Sequence, residues 1–158
     1  MDEIGLEPMT QAQYDSWLSD AIVGYAHEHV VSGRWSEDES VQKSRDEYAR
    51  LLPQGRGTPD HRLWMITRSN DRQPVGVLWI HFIKAPRPHV FVYDIEIKPE
   101  FRRQGFAEAA MKKLEEEAKE MGAETIRLHV FGHNTAARPL YEKLGYVATN
   151  INMAKALT

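Results

Sequence analysis

The chain has no cysteine among its 158 residues. That excludes a disulfide scaffold, a thiol nucleophile, a covalent thioester intermediate and any cysteine-ligated zinc or iron–sulfur site. Long apolar stretches are also missing. In the apolar middle, the longest stretch without a charged side chain is Gln73 to Ile83, and it contains Pro74, Gly76 and His81. It is too short and too polar to span a bilayer. The N-terminus, Met1-Asp2-Glu3, is acidic and lacks the basic start and apolar segment of a secretion signal. A cytoplasmic location without membrane attachment is therefore expected. There is no excess of positive charge: 20 Lys and Arg face 23 Asp and Glu, a formal net charge of -3, which speaks against nucleic acid as a bulk partner. No internal repeat or low-complexity tract is visible.

What is present suits one domain over residues 1–158. A chain of this length buries roughly two thirds of its unfolded surface and needs no staples. Thr10 is a good N-cap, and Tyr14, Trp17, Leu18, Ala21, Ile22 and Tyr25 follow at helical spacing until Gly33. Ser36 and Glu39 have the spacing of a capping box. Val41, Tyr48, Leu51 and Leu52 give that second helix a thinner apolar face, and Pro53 stops it. The period then changes. Leu63 to Thr67, Val75 to Ile83 and Val90 to Ile97 read as strands separated by turn chemistry. Gly105 to Met121 is helical, with Ala107, Ala110, Met111, Leu114, Ala118 and Met121 on one face and Gly122 as its stop. Ile126, Leu128 and Val130 alternate as a strand. A short helix with Pro139 in its first turn ends at Gly145, and Tyr146 to Met153 reads as a last strand. The order implies an α/β or α+β domain with part of its sheet parallel.

The chemistry concentrates between Tyr93 and Ala107. A strand runs into the turn Arg102-Arg103-Gln104-Gly105, which opens a helix. Unpaired backbone N–H groups, the helix dipole and two guanidinium groups coincide there, as a phosphate cradle requires. The glycines of a dinucleotide fingerprint and the Gly-Lys-Ser/Thr of a Walker loop are both absent.

The segment Arg102-Arg103-Gln104-Gly105-Phe106-Ala107 resembles the Arg/Gln-x-x-Gly-x-Gly/Ala motif of the GNAT superfamily of N-acetyltransferases. Asn134-Thr135-Ala136-Ala137-Arg138-Pro139-Leu140-Tyr141-Glu142-Lys143-Leu144-Gly145-Tyr146 is similar to that family's Asn-x-x-Ala-x-x-Leu-Tyr-Glu-Lys-Leu-Gly-Phe signature, with Tyr146 in place of the usual Phe. The resemblance covers roughly Val90 to Met153. It implies a mixed, twisted sheet of about six to seven strands flanked by four helices, and acetyl-CoA as acyl donor with no metal. It further implies that the backbone of Ile95 and Ile97 holds the pantetheine arm. Arg102, Arg103, Gln104, Gly105, Phe106 and Ala107 would hold the pyrophosphate, Asn134 would bond the pantetheine, and Lys143 would approach the phosphates. Tyr141 would lie near the thioester sulfur.

The acid–base requirement stands independently. An amine with a pKa near ~10.4 must lose a proton before it attacks a thioester. Alternation places Asp94 and Glu96 on one face of their strand and Tyr93, Ile95 and Ile97 on the other, unless a bulge changes the parity. Glu96 is the first candidate base and Asp94 the second. Tyr141 is the candidate acid for the leaving thiolate, and the N–H of Ile97 a candidate oxyanion donor. His27-Glu28-His29 invites a metal reading, but residues two apart on a helix point apart. His129 and His133 flank the end of a strand. Trp79 and His81 share a strand face and could line an acceptor pocket. The resemblance implies that the front helix pair shapes the acceptor side, so substrate identity would reside there. The expected activity is acetyl transfer to a primary amine by direct attack in a ternary complex. The alternative is a non-catalytic acyl-CoA-binding module that keeps the cradle and loses the base and the acid. A homodimer is compatible with the sequence.

Overall fold

A computed structural model of the chain describes residues 3–132 and 134–158. The described elements, in chain order, are β1 (Ile4–Pro8), α1 (Gln11–Val31), α2 (Glu37–Leu51), β2 (His61–Arg68), β3 (Pro74–Ile83), β4 (His89–Ile97), α3 (Phe106–Met121), β5 (Thr125–Leu128) and α4 (Ala137–Lys143), with short 3-10 turns at Gly55–Gly57 and Pro99–Phe101. One sheet has the order β1-β2-β3-β4-β5. The first three pairings are antiparallel and β4–β5 is parallel, so the sheet is mixed. The four helices are as expected. The strand count is five among the described residues, not six to seven. Tyr146 to Met153, expected as a strand, forms none, while β1 is a strand that the sequence pattern did not reveal.

The sheet carries a core on each face. On one, the α3 stripe of Phe106, Ala110, Met111, Leu114 and Ala118 packs on Trp64, Ile66, Val75, Leu78, Ile80, Val90, Val92 and Ile97. On the other, Tyr14 and Trp17 of α1 and Tyr48 of α2 pack on Leu63, Met65 and Trp79. Local signals explain the helices. The Thr10 side chain accepts from the Gln13 N–H and Gln13 returns the bond, a complete capping box. At α2 only half of the box forms: the Ser36 side chain makes no cap bond, whereas the Glu39 carboxylate accepts from the Ser36 backbone. Val41 is exposed rather than inward, because α2 buries Ser40, Ser44 and Tyr48 instead. Ser44 stays buried because its hydroxyl donates to the Ile22 carbonyl at 2.6 Å.

Two irregularities shape the site. Trp79 pairs with Asp94 and Ile80 with Val92, so Tyr93 is an extra residue, a β-bulge. And β5 pairs with β4 only from His89 to Val92; Tyr93–Ile97 has no β5 partner. Strand β4 is thus open on one edge along its second half.

Candidate active site

The bulge sets which side chains share a face. Beyond it, Glu96 pairs with Val77 and Asp94 with Trp79, on the α1/α2 side, while Ile95 and Ile97 pack in the α3 core. Asp94 and Glu96 share a face as expected. Tyr93 does not share a face with Ile95 and Ile97, because the extra residue flips it. Its ring stacks on Trp79 at 4.6 Å and lies 4.9 Å from Phe91.

Backbone direction follows from one bond. The Lys98 N–H donates to the Val75 carbonyl at 2.8 Å, so the main-chain groups of Glu96 and Lys98 face β3. By alternation those of Ile95 and Ile97 face the open edge. The Arg102 Nε donates to the Ile97 carbonyl there, at 3.0 Å.

At the end of β4 lies a cleft of about 300 Å³ lined by Ile97, Arg102, Arg103, Gly105, Phe106 and Ala107, with Glu108, Ala136 and Leu140. Six of the residues expected to hold a cofactor therefore meet in one cavity. Gly105 is the N-cap of α3 at φ +82° with no side-chain cap, which leaves the first-turn N–H groups open to a ligand. Arg103 stands at φ +61°, a conformation that costs a non-glycine residue energy and collects at ligand-binding turns. Together they form a concave run of backbone donors with positive charge beside it, suited to an anion.

The remaining expected residues lie around this cleft. The Gln104 side chain donates to the Glu100 carbonyl at 3.4 Å. Asn134 is exposed and its Oδ1 accepts from the Ala137 N–H at 3.3 Å, at the entry to α4. Lys143 lies 3.2 Å from the Glu108 carboxylate, which Lys112 also approaches at 3.6 Å. Those lysines hold the Glu108 carboxyl below its ordinary range, through the Lys143 hydrogen bond above all. Ala136 and Leu140 were given no role in advance: Leu140 is the Leu of the second signature, and Ala136 falls on one of its variable positions.

The two carboxylates differ sharply. The Glu96 side chain is 63% exposed, with the Arg102 guanidinium 3.8 Å away. Asp94 is half-buried and accepts from the Trp17 Nε1–H at 3.0 Å. Burial pushes its carboxyl up to about 6, against the opposing effect of the Trp17 bond. Trp17 is a partner that no spacing rule could find, since it is 77 residues away. Tyr141 is half-buried, with its ring 5.8 Å from that of Tyr146. Its hydroxyl is pushed up first by burial and second by the Asp94 charge, so the carboxylate and the phenol share one electrostatic neighbourhood.

Residues 16–146 match the acetyltransferase (GNAT) family. The chain belongs to the GNAT family of acetyltransferases. It is 37% identical to YdgE of Bacillus subtilis, an uncharacterised N-acetyltransferase, over 96% of this chain and 97% of that one. It is also 37% identical to the uncharacterised N-acetyltransferase YycN of the same organism, over 98% and 99%. The crystal structure of YycN superposes with a TM-score of 0.92 over 98% of this chain and 99% of its own. A thialysine N-epsilon-acetyltransferase of Bos taurus is 39% identical over 44% of this chain and 41% of its own. The protein is accordingly a GNAT acyltransferase, with an α+β fold of four helices and a five-stranded mixed sheet.

Other sequence candidates fall outside this GNAT cleft. His29 is buried while His27 is exposed, so the pair points apart. His129 is exposed, and His133 lies outside the described residues. Trp79 is core; His81 stacks on His61 at 3.9 Å and lies on the same face. Among the described residues no group of three or more His, Asp or Glu is placed to hold a metal ion. No described helix is long and apolar enough to cross a membrane.

Proposed function

We propose that the chain, as one domain over residues 1–158, moves an acetyl group from acetyl-CoA to a primary amine by direct attack in a ternary complex. The observation that carries this reading is continuity. The anion cleft at the start of α3 runs into the open edge of β4, and the Asp94 carboxylate faces away from the cleft's core at the same bulged strand. The cleft fits a diphosphate: open helix N–H groups, Arg102, Arg103 and the left-handed turn are its donor set. Acetyl-CoA would supply an activated acetyl thioester. Ile95 and the N–H of Ile97 would line its arm from the open edge, and that N–H would stabilise developing negative charge on the acyl oxygen. Asn134 and Lys143 stand at the rim, with Gln104 in the turn.

Asp94 is the base in this reading. A carboxyl near 6 is mostly ionised at neutral pH, yet takes a proton more readily than an exposed one. Glu96 is the second reading, as the more exposed carboxylate on the same face. Tyr141 would donate to the leaving sulfur. The likeness to the bovine thialysine N-epsilon-acetyltransferase supports an amine as acceptor class. A binding module without catalysis would not need the half-buried carboxylate–tyrosine neighbourhood.

The test has two stages. Acetyl-CoA and CoA should raise the Tm by mass action, whereas NAD should not. A panel of amines with acetyl-CoA, read by released thiol, should then identify an acceptor. Asp94→Asn should cut kcat/KM by about 10²–10³, Tyr141→Phe should cut turnover by roughly 10–10³, and Glu96→Gln should change little. An Asp94→Asn enzyme with wild-type rates would return the base to Glu96. Absence of any shift with saturating acetyl-CoA would overturn the reading altogether.

A further inference from the structure

Two indoles stand behind the candidate base, and their N–H groups are used at opposite ends. Trp17 donates its Nε1–H to the Asp94 carboxylate at 3.0 Å. Trp79, on β3, donates away from β4, to Nδ1 of His61 on β2, at 2.9 Å. The two rings meet edge to face, with centroids 5.4 Å apart and planes at 80°. Asp94 is the register partner of Trp79 on β4, and the bulge residue Tyr93 stacks on the same indole at 4.6 Å. Trp79 therefore packs on the bulge, pairs with Asp94 and meets the ring that bonds its carboxylate.

That hub is fixed by His61. Trp79 is 2% exposed, and an indole N–H can only donate. Among the described residues His61 Nδ1 is its acceptor. The torsion that turns a flat ring about its Cβ is broad and roughly two-fold, so packing alone selects the orientation weakly, whereas a bond at one edge selects a single one. Accepting at Nδ1 needs a neutral imidazole with its proton on Nε2. The surroundings keep it neutral. Burial first, and then His81 stacked at 3.9 Å, hold the ring at about 4, with Asp60 acting weakly the other way.

We propose that His61 is a positioning residue for Asp94. Its imidazole orients the Trp79 indole, Trp79 braces Trp17, and Trp17 delivers its N–H to the carboxylate. The effect on rate rests on Asp94 as the base; the effect on the carboxylate does not. The other groups that act electrostatically on or with Asp94 are Glu96 of its own strand, Tyr48 of α2 and Tyr141 of α4. None of the three is a charge or hydrogen-bond partner of His61, so substitution at His61 leaves them in place.

Two substitutions separate the acceptor from the ring. His61→Phe keeps a ring against His81 and removes the acceptor, and His61→Asn returns an amide oxygen near the place of Nδ1. In His61→Phe the Trp17 indole N–H resonance, assigned by its loss in Trp17→Phe, should move and exchange faster with solvent. A ¹³C titration of the Asp94 carboxyl should run about 0.5–1 pH higher, because the ionised form keeps a poorer donor. With an acceptor from the amine panel, the acid limb of kcat/KM should move equally, roughly a three- to ten-fold loss on its slope. Acetyl-CoA affinity should hold, since the cradle belongs to the α3 side. His61→Asn should recover most of both titrations. Where His61→Phe does not fold, Trp79→Phe removes the same bond from its donor side, leaves no orphaned N–H and should displace both titrations alike. A folded His61→Phe with the wild-type Asp94 titration would overturn the proposal. So would a His61→Asn that behaves as His61→Phe, or a loss of acetyl-CoA affinity as large as the loss of rate, which marks general distortion. A displaced carboxyl titration with an unmoved kcat/KM profile would support the positioning and take the base role from Asp94.

Discussion

A half-buried carboxylate bonded to an indole N–H is balanced between two opposing effects. Burial of Asp94 raises its pKa to about 6, and Trp17 Nε1 donates to it at 3.0 Å, which restrains that rise. Two predictions follow from the sign of each effect. If Asp94 is the base, kcat/KM should fall as pH drops through about 6, and Trp17→Phe should move that limb upward because the ionised form loses a donor. The Phe ring retains most of the packing against Tyr14, Tyr48 and Trp79. A ¹³C titration of the Asp94 carboxyl should show the same displacement without any turnover. A pH profile unmoved by Trp17→Phe would show that the bond does not tune the carboxylate. Stability carries the opposite sign. A carboxyl raised from 3.8 to about 6 favours the fold below the lower value and opposes it as pH rises through the upper one. Asp94→Asn should therefore stabilise the unliganded protein at pH 8, by on the order of 1 kcal/mol given residual solvent contact, while lowering activity. Such opposition between stability and rate is expected at a working site.

At the scale of elements, β4 is both a wall of the core and the site itself. Its geometry depends on Gly76 of β3, which lies opposite Ile97. A Cβ there would stand 2.3 Å from the Glu96 carbonyl oxygen, too close for any side chain. Gly76→Ala should cost about 1–3 kcal/mol in urea unfolding and push β4 toward the cleft, weakening acetyl-CoA binding as well. An alanine variant of native stability would mean that β3 and β4 can separate there freely. Gly105→Val is a sharper probe of the cradle. At φ +82° the valine is strained whatever the ligand, so stability should fall by roughly 1–3 kcal/mol. Calorimetry at a temperature where the variant stays folded should show a further loss of CoA affinity. Much of this was legible in the sequence. Thr10, Gly105 and Gly122 bound their helices because capping is local, and the Arg102 to Ala107 turn was placed because its motif is contiguous. The bulge at Tyr93 was not, since register depends on the neighbouring strand. Nor was the Trp17–Asp94 bond, which joins segments 77 residues apart. β1 escaped because Ile-Gly-Leu-Glu-Pro is short and carries both glycine and proline, and the last segment alternates like a strand without a neighbour in its own chain.

The whole molecule is a sheet with different chemistry on its two faces, and its acid stability should depend on the α1/α2 side. Three imidazoles lie there, His29, His61 and His81, all pulled below the ordinary value with burial as the leading cause. His61 is held at about 4; its Nδ1 accepts from the Trp79 Nε1–H at 2.9 Å, which requires the neutral ring. Its face lies 3.9 Å from that of His81, so a proton on either ring opposes a proton on the other. Among the described residues His29 has no hydrogen-bond partner at either ring nitrogen, and it packs against Tyr25, Trp35 and Phe131. Arg34 and His129 also disfavour its charged form, while Glu47 and Glu28 favour it less strongly. A depressed histidine supports the fold fully above its unfolded value of about 6.5 and loses that support as pH falls through the folded value. For His61 alone the loss amounts to on the order of 2–3 kcal/mol between pH 6.5 and 4. Asp94 acts in the reverse direction over part of the same window, but it is one group against three. The unliganded Tm should therefore fall steadily from pH 7 to pH 4.5. His29→Phe, which keeps an aromatic ring in the cage and removes the titration, should be more stable than wild type at pH 5 and show a shallower slope. A Tm independent of pH across this range, or a His29→Phe slope equal to that of wild type, would mean that these rings reach water or a partner before the fold gives way.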